Sequence, residues 1–404
     1  MSARIAMRRD RGGVIVTFAL LLMLLMGFMG LALDFSHLYI VRTELQTAMD
    51  ACALAGAQEL NGQPDALTRA INAGKAAGNA NRVDMQLANW NGKGGVTAAD
   101  ISFRDKDHAA TTVSASARYV RCAHTQPATQ TSLLLMFGQP LGSTAYASTT
   151  DVGAAAEATT TPAQSTCPVP LALYPKAGGT APDYGYTKGD WVTLLSKTGA
   201  TNGQIGWANL DGSSNASETN AELAGHCGTR VNDNLGTPGV QQSIADIWNT
   251  RFGIYKNGDG PSANPPDFTG SVYTTTSWPT GRAAYDDFVS KRQAFAACAA
   301  TVSDCEKNNN IKLNAKSLAT PGAGGDMQRY GTNRRLVAVP VLKVVAGGNV
   351  VGDFVCMLML QPLSTPMVDV QLEYLGNASA SDSPCTGNGL PGGTAGPLVP
   401  VLVR

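Results

Sequence analysis

The side chains able to do chemistry are few, and their spacing argues against most of the chemistry they could do. Four histidines, His37, His108, His124 and His226, come no closer to one another than sixteen positions, so no H-E-x-x-H helix face or zinc-finger spacing exists. Eight cysteines include no C-x-x-C pair, the spacing that poises a dithiol for exchange. Lys93-Gly94-Gly95-Val96 has the glycines of a phosphate loop, but Thr97-Ala98-Ala99 stands where Gly-Lys-Ser/Thr would meet the phosphates, and the segment reads as a solvent turn. Asp211-Gly212-Ser213-Ser214-Asn215, after the apolar run 205–210, places Asp211, Ser213 and Asn215 at alternate positions, each with an oxygen for a hard cation. No alternation of strands and helices surrounds it, so it reads as an Asp-Gly turn. Asp105, Asp107 and His108 cluster between two strand-like pieces and read as a solvated turn. No Gly-x-Ser-x-Gly elbow occurs. The expectation is a protein that is not an enzyme, with no catalytic, metal-binding or cofactor-binding residues and no cofactor.

The elements that would have to position these groups are set by composition and its distribution. The chain has 404 residues, enough for two domains. Lys plus Arg and Asp plus Glu are 30 each, and charged residues are only 15% of the chain. A nucleic-acid binder needs clustered cations and is excluded as a reading. The zero balance is uneven: residues 1–13 hold Arg4, Arg8, Arg9 and Arg11 against Asp10 alone. Residues 14–33 then run VIVTFALLLMLLMGFMGLAL without a charge, and at about 1.5 Å per residue they span about 30 Å, the thickness of a bilayer's hydrocarbon.

A removed signal peptide would have a shorter apolar core, roughly 7 to 15 residues, ending in small residues such as Gly30-Leu31-Ala32. The length of the run, and the absence of a turn after it, point to an uncleaved anchor. The four arginines would keep residues 1–13 in the cytoplasm and everything after Asp34 outside it. Gly27 and Gly30 are candidate contacts for other membrane helices. Beyond the span, Leu38, Val41, Leu45, Ala48, Cys52 and Ala55 recur at three and four, one stripe of an amphipathic helix. One continuous helix is expected from residue 14 to about 60, its first half in lipid.

This stretch resembles a known family. The basic tail ending in Arg11-Gly12-Gly13, the long apolar run, Asp34-Phe35, Leu38-Tyr39, Arg42, Leu45-Gln46 and Asp50-Ala51-Cys52-Ala53-Leu54-Ala55-Gly56-Ala57 are similar to the amino terminus of Tad (tight adherence, Flp pilus) assembly proteins of the TadE/TadG-like kind. Residues 111–119, 133–138 and 145–151 resemble the short strands and Leu-Phe-Gly turn that often follow, and the strands at 336–345 and 350–360 resemble the carboxy-terminal part of TadG-like members. Pilin-type members are cut after a Gly and carry Glu at the fifth mature position. Cutting after Gly12 or Gly13 would put Thr17 or Phe18 there, so the resemblance is closest to the uncleaved, TadG-like kind. It implies a bitopic inner-membrane protein with its carboxy-terminal part in the periplasm. Its partners would be the lipid bilayer, other Tad pilus-assembly proteins and pilin subunits.

The remainder reads as α+β. Residues 61–152 are expected as a small pilin-like domain: a short helix over 64–81 broken by Gly74 and Gly78, then strands over 96–103, 110–120 and 144–152. Residues 153–166, without a bulky apolar side chain, read as a linker. Residues 167–404 are expected as a β-rich domain with strands at 191–195 and 204–210, helices at 240–252 and 282–300, a surface loop or mobile excursion over 255–278, and a hairpin of 336–345 with 350–360 turning at Gly347-Gly348-Asn349. All eight cysteines follow the span, as in an oxidising compartment. Cys52 and Cys122 fall in the first domain, and Cys167, Cys227, Cys298, Cys305, Cys356 and Cys385 in the second. One bridge and up to three follow, with Cys298 and Cys305 able to close a short loop, a free Cys52 thiol on the helix stripe as the alternative, and the remaining pairing open. The functional alternatives are a membrane-anchored adhesin or ligand-binding module, and an extracytoplasmic hydrolase whose residues would come together from distant positions.

Overall fold

The computed structural model describes residues 13–131, 133, 148–197, 199–236, 244–256, 258–298, 301–387 and 389–403. The fold is α+β, led by a long apolar helix, and the chain divides into two compact units. One comprises residues up to Thr160 together with Pro400 onward, the other Thr161–Val399.

In the first unit, α1 (Gly13–Gln58) runs unbroken for 46 residues, since no Pro or helix-breaking turn interrupts it. Its second half and α2 (Ala66–Ala80) pack on a sheet ordered β1 (Ile101–Arg104), β2 (Tyr119–Gln130), β3 (Thr149–Pro162), β13 (Leu398–Leu402). Val41, Leu45, Ala48, Met49, Cys52 and Ala53 of α1 are fully buried against Val120, Ala156 and Ala158 of the sheet. The three-and-four stripe is thus the core face. A Cys52–Cys122 disulfide ties α1 to β2.

Gly74 and Gly78 do not break α2. With Ala66 and Ala70 they form its buried face at every fourth residue, and they let it approach α1: a Cβ on Gly74 would lie 3.2 Å from the Cys52 carbonyl oxygen. Two further expectations differ. Of 110–120, only the end is strand, because Thr111 and Ser116 hold the backbone in turns: Val113 N–H donates to Thr111 Oγ1 at 3.1 Å, and the two hydroxyls meet at 3.0 Å. And 153–166 is no linker, since β3 runs through Pro162. Its buried face carries Val152, Ala156 and Ala158. The expected strand start at 144–147 lies outside the described residues.

The second unit is built on strands closed into a barrel. The order is β10 (Leu336–Val345), β4 (Leu171–Leu173), β6 (Ile205–Trp207), β5 (Trp191–Leu194), β12 (Val370–Asn377), β11 (Gly348–Met359), and β11 pairs back to β10, while β7 (Asn234–Leu235) adds beside β11. Alternation dictates the interior: Val337, Val339 and Val341 from β10, Val355, Met357 and Met359 from β11, and Val370, Leu372 and Tyr374 from β12 share one core. The hairpin turns at Ala346-Gly347, where Gly347 takes φ +109°.

Small helices cover this barrel: α3 (Ala216–Gly225), α4 (Ile244–Thr250), α5 (Tyr285–Gln293), α6 (Val302–Asn309) and α7 (Asp326–Arg329), and β8 (Ile254–Tyr255) pairs antiparallel with β9 (Ser317–Leu318) in a separate two-stranded sheet. The helices expected at 240–252 and 282–300 are shorter among the described residues. Residues 255–278 are not a surface excursion, since Asp267, Thr269 and Tyr273 are buried. Arg335, fully buried between the rings of Phe252 and Phe288, donates to the carbonyls of Thr269 (3.1 Å), Ser271 (2.7 Å) and Met359 (2.7 Å). Asp267 accepts the N–H groups of Arg334 and Arg335, each at 2.9 Å. Burial pushes the Arg335 guanidinium down to about 10, still protonated at neutral pH. Three disulfides, Cys167–Cys227, Cys298–Cys305 and Cys356–Cys385, complete the unit.

Candidate functional site

Among the described residues, α1 is the one helix long and apolar enough to cross a membrane. Fourteen large apolar side chains between Val14 and Leu33 are exposed. At roughly 2 kcal/mol for each such side chain moved out of water, the cost of leaving them solvated is tens of kcal/mol, so a hydrocarbon environment is the stable one. Gly27 and Gly30 are buried, and Asp34 is 7% exposed. At spacings of three, four and seven they continue downward the stripe that carries Val41 and Leu45. Arg4, Arg8, Arg9 and Arg11 lie outside the described residues.

Just above the apolar run, a collar of polar contacts fastens the loop 82–93 to α1. His37 Nε2 lies 2.9 Å from Asp84 Oδ1, and His37 Nδ1 lies 3.3 Å from the Gln130 carbonyl oxygen. Seven residues on, the Glu44 carboxylate accepts the N–H groups of Met85 (2.9 Å) and Gln86 (3.2 Å) and the Gln86 side-chain amide (2.8 Å). Burial alone would raise the Asp84 carboxyl, but hydrogen bonds from Asn91, His37 and Lys93 outweigh it and hold the group below its usual range. Sequence reasoning missed this collar because Asp84 lies 47 positions from His37.

The segments screened for chemistry are occupied by their own structure. Asn79 Oδ1 accepts the Val96 N–H at 2.7 Å, and its amide donates to the Val96 carbonyl at 2.9 Å, which pins the Lys93 segment to α2 rather than shaping a phosphate cradle. Asp105 Oδ1 accepts the N–H groups of Asp107 and Ala109, while His108 faces Glu157 at 3.0 Å and stacks on Tyr119. Asp211 Oδ1 accepts the Ser213 N–H at 2.9 Å, the Ser213 hydroxyl goes to Glu218, and Asn215 Oδ1 caps α3 through the Ser217 N–H. That backbone bond from Ser213 is what lowers the Asp211 carboxyl. No group of three His, Cys, Asp or Glu residues placed to hold a metal is found among the described residues.

Two buried carboxylates went unnoticed in the sequence. Glu222, 6% exposed, accepts the Leu210 N–H at 2.9 Å, yet burial pushes it up to about 7. Glu373 accepts the Ala284 N–H at 2.7 Å and is likewise raised by burial. Both fasten a helix to a strand end or strand face, and the signal for each is a lone acid in an otherwise apolar or small-residue context. A cleft of about 430 Å³ is lined by Thr274, Asn310, Lys312, Ser364, Asp369 and Gln371 among others. Asp369 already accepts the Ser196 N–H and hydroxyl at 2.7 and 2.8 Å, so the cleft offers hydroxyl and amide hydrogen bonding without a nucleophile paired to a base.

Residues 12–59 match the family model described as putative Flp pilus-assembly TadE/G-like. The match covers α1 from end to end and stops before α2. No curated protein and no solved structure matches the chain.

Proposed function

We propose that this protein is an inner-membrane-anchored component of Tad/Flp pilus assembly of the TadG-like kind, acting by protein–protein interaction in the periplasm and not as an enzyme. The observation that carries this reading is the coincidence of the Tad-like stretch with a single continuous helix, exposed and apolar over its first part and core-forming over its second. In this reading the arginine-rich tail stays in the cytoplasm. Gly27 and Gly30 let other membrane helices approach α1, and both units face the periplasm, where the four disulfides persist. Its partners are the lipid bilayer, other Tad assembly proteins and pilin subunits.

The test is replacement of residues 14–33 by an unrelated apolar span of equal length. Piliation should be lost while both units stay folded and all four disulfides form. Pili assembled normally on the foreign span would refute an assembly role exerted through the anchor. The polar cleft favours one alternative, a membrane-anchored adhesin or ligand-binding module, which would keep its binding after the same swap.

A further inference from the structure

Beyond Leu33, α1 continues to present apolar groups: Phe35, Tyr39 and Ile40 are 60%, 72% and 39% exposed before the first exposed cation after the span, Arg42. At 1.5 Å per residue this zone reaches about 13 Å past Leu33, through the headgroup layer of roughly 5–7 Å per leaflet. Exposed aromatic rings are typical of such an interface. The loop 82–93 is fastened to α1 at His37 through Asp84, about 6 Å past Leu33, and at Glu44 through Met85 and Gln86, about 16 Å past it. Helical side chains lean toward the helix N-terminus, so both fastenings sit nearer the membrane than the Cα atoms that carry them.

The loop's backbone is costly. Asp84, Met85, Gln86, Asn89, Trp90 and Asn91 hold φ between +50° and +68°, each an expense of order 1 kcal/mol or more for a residue with a Cβ. The collar and the buried Trp90 ring, whose Nε1 donates to the Asn81 carbonyl at 3.0 Å, hold that conformation. It does not serve to hide apolar groups, because Met85 is 61% and Leu87 46% exposed, with Arg82 also exposed nearby.

We propose that Met85 and Leu87, with Arg82, make a second membrane contact, the loop resting in the headgroup layer of the bilayer that α1 crosses. The occupant is lipid because the His37–Asp84 fastening, about 6 Å past Leu33, sets the residue next to Met85 at the depth of the headgroup layer. Two flexible apolar side chains beside a cation suit the boundary between acyl chains and anionic headgroups. The first unit is then held to the membrane at two points rather than on a single helix. This inference rests on the reading of α1 as a membrane span, and its test separates the two.

No free thiol exists among the described residues, so an added cysteine can be labelled selectively. The full chain, reconstituted in phosphatidylethanolamine/phosphatidylglycerol vesicles, carries an environment-sensitive fluorophore in turn on Met85→Cys, Leu87→Cys, Met26→Cys and Ser303→Cys. The expected result is blue-shifted emission at 85 and 87 with quenching by headgroup-level nitroxide lipid at least twofold above that at 303, while 26 is quenched best by a nitroxide deep in the acyl chain. If 26 is deeply quenched but 85 and 87 both behave like 303, the second contact is overturned and the span stands. If 26 is not quenched, the span reading fails and the second contact with it.

Discussion

Gly78→Ala decides between helix propensity and packing. By propensity alone, alanine should stabilise a helix interior by about 1 kcal/mol over glycine. The structure reverses the sign. A Cβ on Gly78 would lie 2.7 Å from Val96 Cγ2 and 3.3 Å from Cys52 Cβ, closer than side chains approach without displacement, and Cys52 is held on α1 by its bond to Cys122. Overpacking of this kind costs about 1–3 kcal/mol, so the net expectation is a loss of roughly 1–2 kcal/mol, a fall of several degrees in the melting temperature of a unit this size. The offending atom is a Val96 methyl, so Val96→Ala in the same chain should recover stability relative to the sum of the single changes, with a favourable coupling of about 1 kcal/mol. Thermal melts of parent, both single variants and the double variant complete the cycle. A more stable Gly78→Ala protein, or strictly additive effects, would refute the claim that Gly78 exists for the approach of α2 to α1.

Two further outcomes follow from buried groups. Glu222 has its carboxyl raised to about 7, so between the unfolded value near 4.5 and about 7 the folded state holds a proton that the unfolded state has released. Its contribution is present at pH 4 to 5, declines through this window and is gone at pH 8, a swing of roughly 2 kcal/mol after solvent screening. Glu222→Gln should flatten that part of the urea-midpoint profile of the second unit between pH 5 and 8, and an unchanged slope would show that Glu222 is not its source. Replacing Cys52 and Cys122 together by alanine frees a loop of 70 residues, worth about 4 kcal/mol in chain entropy. Amide exchange in α2 and β2 should accelerate by about a thousandfold, and a change of less than threefold would mean that packing alone holds α1 on the sheet.

What the sequence disclosed, and what it concealed, follows from the range of the forces involved. The stripe of α1 and the alternation of β10 and β11 were legible because each is a local period facing one core. The alanine- and threonine-rich β3 was not, because what makes it a strand is its antiparallel ladder with β2. The glycines of α2 read locally as breaks, yet their reason is a neighbouring helix. Residues 255–278 looked like a loose excursion because their order comes from Arg335, about sixty positions later, whose guanidinium captures their carbonyls. Barrel closure was hidden in β4, β5 and β6, each only three or four residues long. The anchor was readable residue by residue; the collar beside it was not, since it joins α1 to a loop some forty positions away.

The sheet of the first unit also bears on how this protein could associate with others. An open edge strand invites strand addition by another chain, and β13 ends the sheet with the apolar residues Leu398–Leu402. Val403 N–H donates to the Glu157 carbonyl at 2.9 Å and Ala163 N–H to the Pro397 carbonyl at 3.1 Å, so in an antiparallel ladder the odd-numbered residues of β13 face β3 and the even-numbered ones face outward. Pro400 therefore stands where an outward N–H would be, and it has none to offer, the usual protection of an edge. At the other edge, β1 is only four residues long. Strand addition is disfavoured on both sides of this sheet.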